Sequence, residues 1–183
     1  MKMENEKHNE ESPEVNPKSI QLLLDTALNE YSNEHDRKST IDSKAGIALP
    51  IISAFFLSLA QMNDYKSIIS IPVNSLCSSL LPITLFLSYT GGLILSMLSV
   101  AFMAKVLFAK DYCRINPVDL YTDDNLTKQN CDFSISLMHN YFHAISYNRE
   151  VNNKRVNTYQ LSWKFAFISV ILFVIYLITK NNF

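Results

Sequence analysis

The fold is decided by residues 45–109, which read AGIALPIISAFFLSLAQMNDYKSIISIPVNSLCSSLLPITLFLSYTGGLILSMLSVAFMAKVLFA. This block contains only three charged side chains, Asp64, Lys66 and Lys105. A water-soluble fold has no need for so long a block without charges, whereas a helix that crosses a lipid bilayer needs about 20 apolar residues. A second apolar run, WKFAFISVILFVIYLIT, covers residues 163–179. We therefore predict an all-α integral membrane protein with about three transmembrane helices.

The number of crossings within residues 68–109 can be read in two ways. Two spans, 68–87 and 92–109, can be joined by a turn at 88–91, or a single span can follow an outer segment. Lysines and arginines stand before the first apolar run, after the block and before the last run. A single crossing places all three groups in the cytoplasm, as the positive-inside rule favours. We therefore prefer three spans with a cytoplasmic N-terminus.

The predicted organisation has five parts. They are a disordered N-terminus (1–16), a cytosolic helix (17–44), a membrane region (45–109), a cytosolic loop and helix (110–162), and a last transmembrane helix (163–180). The membrane region contains spans at about 45–62 and 82–109, with an outer segment at 63–81 between them.

Both polar segments carry apolar residues at helical spacing. The first stripe is Ile20, Leu23, Leu24, Ala27, Leu28 and Tyr31, and the second is Ile135, Met138, Phe142 and Ile145. These stripes predict a cytosolic stalk of two long helices that are continuous with the first and last spans. Within the first helix, Glu34 and Lys38 are predicted to form an i,i+4 ion pair.

Composition excludes several classes of protein. The net charge of −1 gives no basic excess for phosphate backbones, so nucleic acid is not expected as a partner. Three glycines leave no room for a phosphate-binding glycine loop, and three cysteines form no disulfide framework or zinc module. His139 and His143 have a spacing that permits metal binding, but two solvated histidines are the simpler interpretation. We therefore predict a non-enzymatic protein without a metal or cofactor.

Small residues recur at every fourth position in the predicted spans. The first stripe contains Gly46, Ala54 and Ser58, with Pro50 between them, and the second contains Ser88, Gly92 and Ser96. Such stripes let helices approach closely in lipid. They can serve packing within one chain or between chains, and the second use makes the protein a homo-oligomer.

Charged residues are concentrated where the first span begins, in HDRKSTIDSKAG at residues 35–46. In one interpretation the cations only hold the N-terminus inside, and Asp42 pairs with a neighbouring cation. In the other, cations from both stalk helices form a juxtamembrane site for an anionic ligand or lipid headgroup. The candidate ligand-binding residues are Arg37, Lys38, Asp42, Lys44, Arg149, Lys154 and Arg155.

The arrangement Arg37-x4-Asp42-x-Lys44-Ala45, at the entrance to the first span, resembles the transmembrane effectors of bacterial Pycsar anti-phage systems. It is also similar to other small membrane effectors associated with nucleotide-second-messenger synthases. The order of the later segments also matches that of these effectors. A loop with Asn116-Pro117 is followed by a polar helix with Asn152, Asn153 and Lys154, and then by the last span. The resemblance covers roughly residues 20–180, and its only motif is D-x-K-A.

This resemblance implies a membrane effector in the bacterial inner (plasma) membrane. Its partners would be the lipid bilayer, further copies of the chain and a cyclic nucleotide, which triggers impairment of the membrane. Residues 110–162 contain no recognisable cyclic-nucleotide-binding domain, so the ligand's identity stays open. The alternative is a membrane anchor or sensor subunit that recruits a cytosolic partner.

Overall fold

The computed structural model describes residues 16–62, 65, 68, 76–108, 112–116 and 130–181. This part of the chain forms three helices, α1 (Pro17–Gln61), α2 (Leu76–Leu107) and α3 (Asn130–Asn181), and contains no strand. Each helix is long and apolar enough to cross a membrane. The all-α class is therefore confirmed for the described residues. The predictions for residues 1–15, for most of 63–75 and for 117–129 fall outside them.

Helix α1 begins as its sequence predicts. The side-chain Oδ1 of Asn16 accepts a hydrogen bond from the backbone N of Lys18 at 3.0 Å, and Pro17 occupies the first helical position. The helix continues for 45 residues through Lys44 and Ala45 and through Pro50. A proline is tolerated inside a membrane helix because neighbouring groups satisfy the carbonyl that it leaves without a donor.

Helix α2 is continuous through Ser88–Gly91, where two crossings would require a turn. Its 32 residues rise through roughly 48 Å, more than the ~30 Å core of a bilayer needs. One continuous helix therefore covers residues 76–107, as the single-crossing interpretation requires.

The chain divides into two compact units. The smaller unit is formed by Met1–Asn33 with Cys113–Tyr147, and the larger by Glu34–Tyr112 with Asn148–Phe183. In the smaller unit Ile20, Ala27, Ala144 and Ile145 are buried. The rings of Tyr31 and Tyr141 meet edge to face with their centroids 5.4 Å apart.

Buried positions in the larger unit follow alternating steps of three and four residues, the repeat of a left-handed coiled coil. On α2 they are Leu85, Tyr89, Gly92, Ser96, Ser99, Met103 and Val106, and on α3 they are Asn148, Asn152, Arg155, Ser162, Ala166, Ser169 and Tyr176. On α1 the same repeat runs through Ile41, Ala45, Ala48, Ile52 and Leu59. We call these positions the seam.

One part of the seam is an apolar core shared by all three helices. Ile41, Ala45, Ala48 and Ile52 of α1 pack with Met103 and Val106 of α2 and with Ala166 of α3. Large apolar side chains such as Ile47, Ile51, Met97 and Phe167 remain exposed on the outside of the helices. An apolar outer surface of this kind is compatible with a location in a membrane.

Candidate functional site

Polar and charged side chains fill the seam where the larger unit leaves its apolar part. We call Glu34, Asp42, Asn152 and Arg155, together with the backbone carbonyl of Val106, the polar cluster. Helix α1 supplies the two carboxylates, α3 supplies the amide and the guanidinium, and α2 supplies the carbonyl.

Arg155 joins all three helices. Its side chain is only 6% exposed, and its Nε and Nη2 donate to the carbonyl oxygen of Val106 at 3.2 and 3.0 Å. Val106 lies in the last turn of α2, whose carbonyls have no partner within the helix and which favours a positive charge. Nη2 also donates to Oδ1 of Asp42 on α1. Arg155 therefore caps α2 and ties its end to α1.

Asp42 is shared between two cations. Besides the bond from Arg155, its Oδ2 accepts a hydrogen bond from Nζ of Lys38 at 3.0 Å. Burial raises the pKa of Asp42, but the hydrogen bonds and charges of Arg155 and Lys38 outweigh it, so that the pKa lies below the ordinary value. Asp42 is therefore ionised at neutral pH and balances the buried guanidinium.

Glu34 is buried against α3, where its closest bonding partners lie. Its Oε2 accepts a bond from Nδ2 of Asn152 at 2.9 Å, and its Oε1 accepts one from Nε of Arg149 at 3.1 Å. The same Nδ2 donates to the backbone carbonyl of Glu34 at 3.0 Å. The predicted Glu34–Lys38 pair is wrong, because Lys38 turns to Asp42 and the closest donors to Glu34 belong to α3.

The remaining candidate ligand-binding residues have different surroundings. Arg37 donates to Oδ1 of Asn153 at 2.7 Å, and its Nη1 lies 3.6 Å from Oε2 of Glu34. Lys154 pairs with Glu150 on the exposed surface, 2.6 Å from Nζ to Oε1. The hydrogen bond from Lys154 holds the pKa of Glu150 below its ordinary value.

Lys44 is exposed and forms no hydrogen bond or ion pair with any residue that the structure describes. It lines a groove between α1 and α3 together with Arg37. The predicted cations thus differ in their partners. Lys38, Arg149 and Arg155 engage carboxylates of α1, Arg37 both contacts Glu34 and lines the groove, and Lys44 lines the groove alone.

Glu34, Val106 and Asn152 were not among the predicted ligand-binding residues. Asn152 and Arg155 continue the steps of three and four that lead to Ser162, Ala166 and Ser169 in the apolar part of α3. Extending that repeat backwards from the last span would have indicated which polar residues are buried. No spacing in the sequence indicates the backbone carbonyl of Val106.

The second small-residue stripe packs inside the chain. Ser88, Gly92 and Ser96 are buried, and Oγ of Ser169 on α3 donates to the carbonyl oxygen of Gly92 at 2.6 Å. A Cβ atom on Gly92 would lie 3.5 Å from the carbonyl oxygen of Ser169, so the two backbones approach closely here.

About two turns along the seam from the Gly92–Ser169 contact, two serines that were not among the predicted packing residues join the same helices. Oγ of Ser99 donates to the carbonyl oxygen of Ser162, and Oγ of Ser162 donates to that of Ser99, both at 2.8 Å. Small hydroxyl side chains therefore hold α2 against α3 by hydrogen bonds as well as by close contact.

The first small-residue stripe faces outward. No atom of the described residues lies within 4 Å of the position that a Cβ atom on Gly46 would take, and Ala54 and Ser58 are exposed. This face of α1 has no packing partner among the described residues of the chain.

Metal-binding side chains are not gathered in the described ranges. His139 and His143 are both exposed, and no group of three or more His, Cys, Asp or Glu residues within those ranges is arranged to hold a metal ion.

Compared with known protein families, with curated proteins and with solved structures, the chain matches none of them. The polar cluster joins the three helices of the larger unit by ion pairs and hydrogen bonds.

Proposed function

We propose that the chain is an integral membrane protein of three spans, with its N-terminus in the cytoplasm of a bacterium and its spans in the inner membrane. The three apolar helices support this placement, as do the exposed apolar side chains along them. The positive-inside rule supports the orientation, because it assigns the cations beside each span to the cytoplasm. In this arrangement the cytosolic parts of α1 and α3 form a stalk that continues into the first and last spans.

The function that we propose is that of a membrane effector in an anti-phage system, triggered by a nucleotide second messenger. The observation that carries this proposal is the polar cluster, which lies where α2 ends between α1 and α3. Each of its ion pairs has one buried member, Arg155 or Glu34. A buried charge in an ion pair often stabilises a protein less than apolar side chains of similar volume would. The bonds of these ion pairs can also be exchanged for bonds to another anion, which apolar packing cannot offer.

An anionic nucleotide would compete with Glu34 and Asp42 for their cations. Of the cations that pair with these two carboxylates, Arg149 and Lys38 are accessible, since each is partly exposed while Arg155 is buried. Loss of these bonds would release α1 from α3 at the entrance to the spans. The spans would then associate with those of other copies through the outward face of Gly46, Ala54 and Ser58, and the membrane would lose its integrity.

The proposal is tested in bacterial cells that express this chain together with a pyrimidine-nucleotide cyclase. We expect a voltage-sensitive dye to report loss of membrane potential during phage infection, but not with a catalytically inactive cyclase. Cells that keep their potential while the cyclic nucleotide accumulates would refute the effector role.

A membrane anchor or sensor is the second candidate, and the smaller unit supplies an observation in its favour. Four large apolar side chains are exposed in segments that the proposed topology would assign to the cytosol. They are Leu22, Leu23, Leu28 and Phe142. Exposed apolar side chains of this kind suit a protein partner. An anchor would leave the membrane potential unchanged, and Leu22→Ser with Leu23→Ser would abolish its function by removing the partner.

A further inference from the structure

The groove between α1 and α3 is lined by residues of both helices at the level where the first span begins. Its volume is about 320 Å³, and it is lined by Arg37, Thr40, Ile41, Lys44, Val156, Tyr159 and Gln160. The lining contains two cations, two hydroxyl groups and an amide, and no carboxylate. Such a set of donors matches the oxygens of a phosphate group.

The two cations of the groove differ in the bonds that they already make. Arg37 donates to Asn153 and lies near Glu34, yet its side chain is 37% exposed. Lys44 has no bonding partner among the residues described, so its ammonium is available to an outside anion. Lys44 adds a charge to the groove that no carboxylate of the lining offsets.

The groove continues into apolar strips on both helices. On α1, Thr40 and Lys44 are followed on the same face by Ile47 and Ile51, at steps of four, three and four residues. On α3, Val156 and Gln160 are followed in the same way by Trp163 and Phe167.

All four apolar residues of these strips are exposed. A molecule with a phosphate in the groove would therefore have apolar surface on both sides of its next segment, directed toward the predicted span.

We propose that this groove binds the phosphate headgroup of an anionic phospholipid, whose acyl chains lie along the two apolar strips. A free phosphate or nucleotide offers the same anionic group, but it has nothing to place on Ile47, Ile51, Trp163 and Phe167. The inference rests on the membrane placement proposed above and does not depend on the effector role.

Lipid binding is tested on the full-length protein purified in detergent, by native mass spectrometry with phosphatidylglycerol or phosphatidylcholine added. We expect the protein to bind phosphatidylglycerol in preference to phosphatidylcholine. This preference should fall about fivefold in Lys44→Gln, the loss expected when one lysine is removed from contact with an anionic surface. Gln160→Glu should weaken binding as well, because it adds a negative charge to the groove. Lys164→Gln is the matched control, since Lys164 is exposed on α3 but does not line the groove.

Free inorganic phosphate forms the second arm of this experiment. We expect millimolar phosphate to leave the bound phosphatidylglycerol in place. Equal losses in the Lys44 and Lys164 variants, equal binding of the two lipids, or displacement by free phosphate would each overturn the proposal. None of these readouts measures membrane damage, so failure of the effector role would leave the result unaffected.

Discussion

Arg155 carries a charge at a position that the helix repeat assigns to the interior. It is tolerated there because the Val106 carbonyl and the Asp42 carboxylate together receive its donors. A buried charge without such partners would be expensive. The guanidinium therefore specifies where the end of α2 meets α1, more than it adds to overall stability.

Removing this side chain is expected to destabilise the larger unit. Arg155→Met leaves the Val106 carbonyl without these donors and leaves Asp42 with Lys38 alone, at a cost on the order of 2 kcal/mol. The thermal midpoint in detergent, followed by circular dichroism, should fall clearly.

The neighbouring variant Lys154→Met is the control for Arg155→Met, because Lys154 belongs to an exposed i,i+4 pair that adds little to stability. Equal midpoints for the two variants would contradict the role given to Arg155.

The lowered pKa of Asp42 makes part of the stability depend on pH. A carboxyl group whose pKa is depressed on folding stabilises the protein above its unfolded pKa, which is 3.8 for this group. That contribution disappears as the pH falls through the lower, folded pKa. We expect the wild-type protein to unfold at a higher temperature than Asp42→Asn at neutral pH, and this advantage to shrink below about pH 4.

Comparison of the two proteins across pH removes the effect of the other carboxylates, because these titrate in both. A difference in midpoint that stays constant down to about pH 3 would show that Asp42 does not make the pairs described.

At the scale of single helices, the sequence predicted where the apolar runs lie but not which of their faces are buried. Charge-free runs locate the spans because a bilayer tolerates few charges. The small-residue spacing is alike at Gly46 and at Gly92, yet of the two only Gly92 meets another helix in the part of the chain that the structure describes. That difference depends on the rotation of each helix about its axis, which the seam sets and spacing within one stripe does not reveal.

Glu34 illustrates the same limit in the candidate site. Within α1 its best apparent partner is Lys38, four residues away, and only the approach of α3 brings Asn152 and Arg149 closer. Spacing along one helix can predict local pairs, whereas contacts between helices depend on the register between them. The cations of the site could therefore be predicted, while their division between carboxylates and groove could not.

The two glycines give a matched test of packing. Gly92→Leu should push α2 away from α3, because a Cβ atom alone would already contact Ser169 and leaves no room for the rest of a leucine side chain. Gly46→Leu should leave the fold intact, since the space beside Gly46 is open. Thermal midpoints in detergent would show a large loss for the first variant and little change for the second.

Light scattering of the Gly46→Leu protein then reports on association between chains. A smaller mass than that of the wild-type protein is expected if the outward face of α1 joins copies. A Gly92→Leu protein as stable as the wild type would contradict the seam between α2 and α3.

For the whole molecule, three crossings and four differ in where residue 120 lies. In a variant without its natural cysteines, Leu120→Cys should resist a membrane-impermeant thiol reagent in spheroplasts and react after permeabilisation. Asn182→Cys, in the tail predicted outside, should react in intact spheroplasts and serves as the positive control. Labelling of residue 120 from outside would require four crossings and would reverse the orientation of α3.

We propose that this chain, without any partner protein, impairs a membrane when it receives a nucleotide signal. The most direct measurement is ion flux across liposomes that contain only the purified protein, after a cyclic pyrimidine nucleotide is added. We predict that the flux rises on addition of the nucleotide and stays at baseline with the linear monophosphate. Baseline flux with every cyclic nucleotide tested, from protein whose insertion and folding have been verified, would contradict the claim.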